Sequence, residues 1–205
     1  MKKGLLFIAL SALFSLHAMK IDDRGRWQGM DAEDHHVFDE KLAAGLCKFF
    51  KGQKTKTIVD FGCGMGNYVS YFKDHGLACD GFDGNPDTVK LTKELAQVLD
   101  LSEAFDLQKK YDWVLSLEVA EHIPKKFETT YVENLVKHAN KGIILSWAVK
   151  GQTGWGHVNC QNNDYVKELF AEYGFVSDDV AEKKLRTTCG VHWFTWTVMV
   201  FRKVG

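Results

Sequence analysis

Past its first eighteen residues the chain alternates between two hydrophobic periods. Leu42, Leu46, Phe49 and Phe50 recur at helical spacing in DEKLAAGLCKFF (residues 39–50) and predict an amphipathic helix. TKTIVDF is a short apolar run and predicts a strand, and NYVSYFKDHG predicts a helix stopped at Gly76. LACDGFD (residues 77–83) predicts a second strand, and NPDTVKLTKELA a helix with Pro86 near its start. AQVLD and YDWVLSLE predict the third and fourth strands. The helix FETTYVENLVKHANKG then leads into IILSWAV, an almost wholly apolar strand. NNDYVKELFAEYGF predicts a helix with an Asn/Asp cap and a glycine stop. HWFTWTVMVFRK predicts a long last strand whose aromatics belong to the sheet core.

Strand and helix in regular succession, with apolar rather than alternating strands, imply an α/β fold. Its sheet is mostly parallel and covered by helices on both faces. Ligands in such folds bind beyond the carboxyl ends of the strands, where the strand order reverses.

Composition narrows this picture. A chain of 205 residues, 45% of them hydrophobic, suits one sizeable core. A net charge of -1 offers no electrostatic footprint for nucleic acid or an acidic membrane. The opening MKKGLLFIALSALFSLHA has two lysines, an apolar stretch and a small residue at Ala18, the layout of a secretory signal peptide. Its apolar run is too short for an ordinary membrane span, and a short uncleaved anchor is the alternative. Cys47, Cys63, Cys79, Cys160 and Cys189 are scattered, with no CxxC, so neither a disulfide framework nor a zinc site is indicated. Reduced core cysteines fit a reducing compartment better than export. The expected partition is a leader or anchor at 1–18, a helical cap segment at 19–54 and the main domain at 55–205, with no membrane span in the mature domain.

The chemistry concentrates in VDFGCGMGNY, residues 59–68. Gly62, Gly64 and Gly66 follow a strand and precede a helix, where glycine permits positive φ and lets a ligand approach bare backbone. A dinucleotide fingerprint needs its third glycine one position later, where Asn67 stands. Asp60, just before the loop, suits a cationic ligand better than a pyrophosphate. Asp83, followed by Gly84, ends the next strand, and an acid there can accept both hydroxyls of a ribose. Asp100 closes QVLD and can accept a hydrogen bond from an exocyclic amine. Three acids at three successive strand ends converge on one rim.

With those residues in register, the chain resembles the class I S-adenosylmethionine-dependent methyltransferases from about residue 55 to 203. VDFGCGMGNY looks like their first motif, CDGFDGNP their second, VLDLSEAFDL their third and YDWVLSLEVAEHIP their fourth. The resemblance implies a Rossmann-like sheet of seven strands, the last antiparallel and inserted. It implies that Gly62, Gly64 and Gly66 line the methionine part of S-adenosyl-L-methionine, with Asp60 beside them. Asp83 and Gly84 would then hold the ribose, Asp100 and Leu101 the adenine, and Leu117 and Glu118 the pocket edge.

LEVAEHIP carries the second constellation. Glu118, Glu121 and His122 can face one side of a turn, and two carboxylates with an imidazole suit Mg²⁺ or Mn²⁺. The ExxEH is similar to that of ubiquinone-biosynthesis O-methyltransferases and small-RNA terminal 2′-O-methyltransferases, which implies that these three residues are metal ligands. In other relatives the glutamate lines the cofactor pocket and the histidine is a base or polar contact near the substrate; a structural role is the third reading. GQTGWGHVNCQNND should loop over the substrate mouth, with His157 as a further ligand or second base and Asn159 beside it; a capped surface loop is the alternative. Upstream, Trp27, Met30, His35, His36 and Phe38 either stack on a flat acceptor or pack the N-terminal helix.

These readings converge on a methyltransferase acting on an oxygen or nitrogen of a small molecule. The alternatives are a non-catalytic S-adenosylmethionine-binding protein, a methyltransferase acting on a protein or an RNA terminus, and, more distantly, a nicotinamide oxidoreductase.

Overall fold

The computed structural model describes residues 20–29 and 36–205. The leader expected at 1–18, together with Met30 and His35, lies outside the described residues. Two short strands, β1 (Lys20–Ile21) and β2 (Trp27–Gln28), pair antiparallel as a small ribbon. Helix α1 (Glu40–Gly52) follows, its N-cap Asp39 accepting from the Leu42 N–H. The main sheet then begins with β3 (Thr57–Phe61), α2 (Asn67–Asp74), β4 (Ala78–Asp83), α3 (Thr88–Leu91) and β5 (Ala96–Val98). It continues with β6 (Tyr111–Leu117), α4 (Glu128–His138), β7 (Ala139–Ser146), α5 (Asn163–Glu172) and β8 (Phe175–Ser177). Helices α6 (Asp179–Arg186) and α7 (Phe194–Thr197) precede β9 (Val198–Lys203).

Seven strands form one sheet in the order β5-β4-β3-β6-β7-β9-β8. All neighbours are parallel except β9, which runs antiparallel between β7 and β8. The expected fold, including the inserted antiparallel strand, is the observed one. From β3 the chain steps outward through β4 to β5, then returns across β3 to β6. The strand order therefore reverses between β3 and β6, and a crevice opens at their carboxyl ends. One core cluster packs α1 and α2 on one face around Trp113; the other packs α4 and α5 against Trp147 and Phe201.

Several elements depart from the expectations, each for a local reason. The helix expected over 85–96 is a single turn, because Lys93 and Glu94 take positive φ (51° and 68°) and swing the chain into β5. Thr92 holds that bend, donating to the Thr88 carbonyl at 2.8 Å and accepting from the Ala96 N–H at 3.1 Å. β7 starts at Ala139, directly after α4, so the residues expected to finish that helix are strand instead. Asn162 and Asn163 do not cap α5 through their side chains; Asn163 donates to the Trp196 carbonyl at 2.7 Å and ties α5 to α7. The long last strand is shorter than expected: Phe194–Thr197 is helical, and Trp193 and Phe194 border the crevice rather than filling the sheet. Residues 20–29, expected within a helical cap, form the β1–β2 ribbon. Strand β8 and helix α6, for which no expectation was made, complete the sheet edge. Among the described residues no helix is long and apolar enough to cross a membrane.

Candidate active site

A cavity of about 360 Å³ occupies the crevice between β3 and β6, within the size range of small-molecule sites. Its first wall grows out of β3 and β4. All three loop glycines have positive φ: 81° at Gly62, 52° at Gly64 and 72° at Gly66. The Phe82 carbonyl accepts from the Gly62 and Cys63 N–H groups, at 2.7 and 3.0 Å, which seats the loop on β4. Asp83 closes the loop from the other side, accepting from the Gly64 N–H and from the Asn85 N–H, each at 2.8 Å. Asp60 is buried, and burial together with the nearby Asp83 charge raises its carboxyl to about 8. Leu101, Leu117 and Gly84 border the same space.

The three glycines do not play equal parts. Gly62 borders the cavity, and a Cβ there would stand 2.2 Å from the Val119 side chain. The face of Gly64 is covered by His36, whose ring would lie 2.1 Å from an added Cβ. Gly66 is the N-cap of α2 and packs against Thr92. Of the three, Gly62 is the one that borders the cavity. Asp100 also differs from expectation. Its carboxylate accepts from the Ser102 N–H and hydroxyl, and Arg24 and Arg26 approach it at 3.2 and 3.3 Å. It does not line the cavity, though its neighbour Leu101 does, and its two arginines belong to the turn between β1 and β2.

The second wall comes from the turn after β6. Glu118 has φ 54°, a left-handed conformation that costs a non-glycine residue of order 1 kcal/mol. Its N–H donates to Ser146 Oγ at 2.8 Å, locking the turn to the end of β7. Glu118 borders the cavity and Glu121 is fully buried behind it. Burial raises both carboxyls, and the charge of Glu118 raises Glu121 further. Neither oxygen of Glu121 finds a donor among the described residues while both acids are ionised; a single shared proton lets the two carboxyls bond each other. His122 is pushed down to about 4 by burial and then by His157 and His36, so its ring is neutral at physiological pH. Its Nδ1 lies 3.2 Å from the Gly156 carbonyl and the Nδ1 of His157 lies 3.2 Å from that of Gln152. A ring nitrogen bonded to a carbonyl carries the proton, which leaves Nε2 bare on the neutral His122 ring.

One ligand atom each from Glu121, His122 and His157 lies within 4.8 Å of the others. The set expected from the sequence was Glu118, Glu121 and His122. The positive φ at Glu118 turns its side chain along the cavity wall, and His157 takes its place in the cluster. His157 lines the same cavity, while Asn159 is buried behind it.

The roof is the turn between β1 and β2, of which the sequence singles out Trp27 but not Asp22, Arg24, Gly25 or Arg26. Asp22 accepts from the Arg24 and Arg26 N–H groups at 2.9 and 3.0 Å, which shapes the β1–β2 turn. Gly25 sits so close to the His122 carbonyl that a Cβ would be 1.9 Å from its oxygen. Arg26 lies over Gly84, and Trp27 meets the His122 ring edge-on at 5.2 Å. For Gly25 and its two arginines the only signal was RGR, a glycine between two cations, and it has no meaning until the opposing carbonyl and acids are known.

A family model described as a methyltransferase domain matches residues 34–146, more than half of the chain. The chain is 28% identical over 135 residues to norajmaline N-methyltransferase of Rauvolfia serpentina, covering 58% of this chain and 46% of that protein. It is 31% identical over 145 residues to the chloroplastic tocopherol O-methyltransferase of Arabidopsis thaliana, covering 63% and 40%. The aligned part is thus less than half the length of either relative. Among solved structures, magnesium protoporphyrin IX methyltransferase from Synechocystis PCC 6803 with bound SAH superposes with a TM-score of 0.62 at 16% identity, over 80% of this chain and 83% of that one. Such identity speaks for the fold alone. Sheet order, glycine loop and family match agree: the chain belongs to the methyltransferase-domain family and has the fold of the class I S-adenosylmethionine-dependent methyltransferases.

Proposed function

We propose that this domain transfers a methyl group from S-adenosylmethionine to an oxygen or nitrogen of a small, flat, largely apolar acceptor. One observation carries the reading: a glycine loop flanked by Asp60 and Asp83 shares a single cavity with Glu118, His122 and Trp27. The residues fit the cofactor. A buried acid raised to about 8 favours a positive charge beside it. Each Asp83 oxygen accepts one backbone N–H and keeps a lone pair for a ribose hydroxyl. Gly62 is assigned to the methionine part and Gly84 to the ribose. Leu101 and Leu117 offer apolar surface to the purine, and Asp100, held by two arginines, is assigned to the roof instead.

Bound there, S-adenosylmethionine supplies an electrophilic methyl group on a sulfonium centre. The chain's own tasks are to align the acceptor, exclude water and hold the departing proton. The ribbon of residues 20–29 closes the site from above. Trp27 and Trp155, with ring centroids 6.4 Å apart and planes inclined at 43°, give the acceptor side an aromatic surface on which one ring face can stack. Glu118, paired with buried Glu121, is the proton holder. His122, neutral and with Nε2 bare, orients the acceptor. The names of the norajmaline N- and tocopherol O-methyltransferases support a small-molecule acceptor methylated at nitrogen or oxygen.

Calorimetric titration with S-adenosylhomocysteine and, separately, NAD tests the cofactor. Binding of the first alone is expected; binding of NAD alone overturns the reading. A screen of phenols and cyclic amines with methyl-labelled cofactor then tests the acceptor class.

A second reading rests on the cluster of Glu121, His122 and His157. One carboxylate and two imidazoles suit Mn²⁺ or Zn²⁺ better than Mg²⁺, which prefers oxygen donors. A divalent cation there supplies Lewis acidity toward an acceptor hydroxyl. Mn²⁺ titration followed by electron paramagnetic resonance checks it: binding that His157→Gln abolishes supports the site, and no binding by the wild type removes it.

A further inference from the structure

Behind the second wall lies a buried carboxylate that touches no part of the cavity. Glu128 is the first residue of α4 and is 5% exposed. Burying a carboxylate is costly unless donors surround it. Glu128 has three: the Lys125 ammonium at 2.5 Å, the Tyr165 hydroxyl and, on its other oxygen, the Asn159 amide at 2.9 Å. An acid that served only the α4 dipole would stay in solvent, where it keeps its hydration.

Asn159 explains the arrangement. It is 4% exposed and its polar groups are engaged in four directions. Its N–H and that of Val158 both donate to the Glu121 carbonyl, at 3.0 and 2.8 Å. Its own carbonyl accepts from the Trp147 indole at 2.6 Å, and its Oδ1 from Gln161 at 2.9 Å. Glu128 Oε2 accepts from the Asn159 side-chain amide. The loop that carries His157 is thereby pinned to the backbone of Glu121, two residues from the imidazole that stands 5.1 Å, edge-on, from His122.

We propose that Glu128 and Asn159 are positioning residues, a brace in α4 and the β7–α5 loop that holds the His157 imidazole against Glu121 and His122. Its catalytic consequence rests on the reading of His157 as part of the site. The brace acts through two hydrogen-bonded side chains, so an amide in place of the acid should loosen it without emptying the core. Glu128→Gln sets amide protons against those of Asn159, and Asn159→Leu removes the link while keeping similar volume.

Nitrogen-resolved NMR of the histidine side chains in the full chain tests the proposal. In the wild type, His157 should show one tautomer, protonated on Nδ1. In Glu128→Gln and Asn159→Leu its signals should broaden and shift toward a mixture, with buried His138 and the affinity for S-adenosylhomocysteine unchanged. Tyr165→Phe, which removes one donor near the surface, should give a smaller shift of the same sign. Unchanged His157 signals in Glu128→Gln overturn the brace. So does a shift accompanied by loss of cofactor affinity and of the His138 signals, if Tyr165→Phe leaves His157 unmoved. With an acceptor from the screen, Glu128→Gln should lower kcat about tenfold at constant KM for the cofactor, and add little to His157→Gln. Normal turnover in His157→Gln, with the NMR shifts intact, would instead count against His157 in the site and leave the brace standing.

Discussion

The two walls of the cleft are made in different ways. The wall we assign to the cofactor is built on residues 59–101, where the positive-φ glycines and two acids sit at the carboxyl ends of adjacent strands β3 and β4. The acceptor wall draws on the 24–27 turn, the loop after β6, the 152–157 loop and the aromatic turn at 193–194. On the first wall backbone N–H groups satisfy the acid at the strand end, as when Asp83 accepts from Asn85 two residues on and from Gly64 on the neighbouring loop. On the second, Glu118 lies against the buried Glu121, His122 is held by a carbonyl of the distant 152–157 loop, and His157 by a carbonyl of its own loop. The first is a preformed receptacle. The second is an assembly whose chemistry depends on how well separate segments are held together.

The largest expected effect breaks the first wall. Asp83→Ala strips two charge-assisted hydrogen bonds from the loop, each worth roughly 1.5–3 kcal/mol. Calorimetry should show affinity for S-adenosylhomocysteine falling on the order of a hundredfold or more. Retention of full affinity would mean that the walls are wrongly divided. Next, His122→Ala should leave that affinity within about twofold while lowering turnover on the order of thirtyfold, roughly 2 kcal/mol of transition-state stabilisation. Loss of cofactor binding in this variant would erase the distinction between walls.

A third test uses pH. Asp60 stays neutral in the ligand-free fold up to about pH 8, whereas in the unfolded chain it ionises in the ordinary range near 3.8. Between those values the folded state binds the extra proton, so this contribution to stability is full at low pH and lost as pH rises through about 8. Thermal melts of the ligand-free protein should therefore fall from pH 5 to 8, and Asp60→Asn should flatten the trend. Sulfonium binding favours the ionised acid, so affinity for S-adenosylmethionine should tighten over the same window more than that for S-adenosylhomocysteine. The smallest effect belongs to the roof. Arg24→Gln with Arg26→Gln removes part-exposed pairs to Asp100 and should weaken cofactor binding by no more than about 1 kcal/mol, less at high salt.

Legibility in the sequence followed the same division. The glycine spacing, the acids at strand ends and the apolar β3, β4 and β6 were readable because each is a short-range pattern with one backbone solution. Glu118, Glu121 and His122 were readable as a group, but their division was not: the positive φ at Glu118 depends on Ser146 receiving its N–H from across the sheet. Trp193 and Phe194 read as strand because aromatic and β-branched residues favour sheet, and the packing of α7 against β7 and α6 overrode that preference. Gly25 gave no local sign that the His122 carbonyl would occupy the space of its missing side chain.

What the chain determines by itself is the alternation of strand and helix from β3 to β7 and the glycine loop that follows β3. Those follow from periodicity and from the conformational freedom of glycine, which act over a few residues. Which histidine joins Glu121, which arginines cover Asp100 and which buried acid braces the far loop were decided only when distant segments met. Burial strength and hydrogen-bond geometry depend on neighbours that are remote in the chain, and only the folded molecule supplies them.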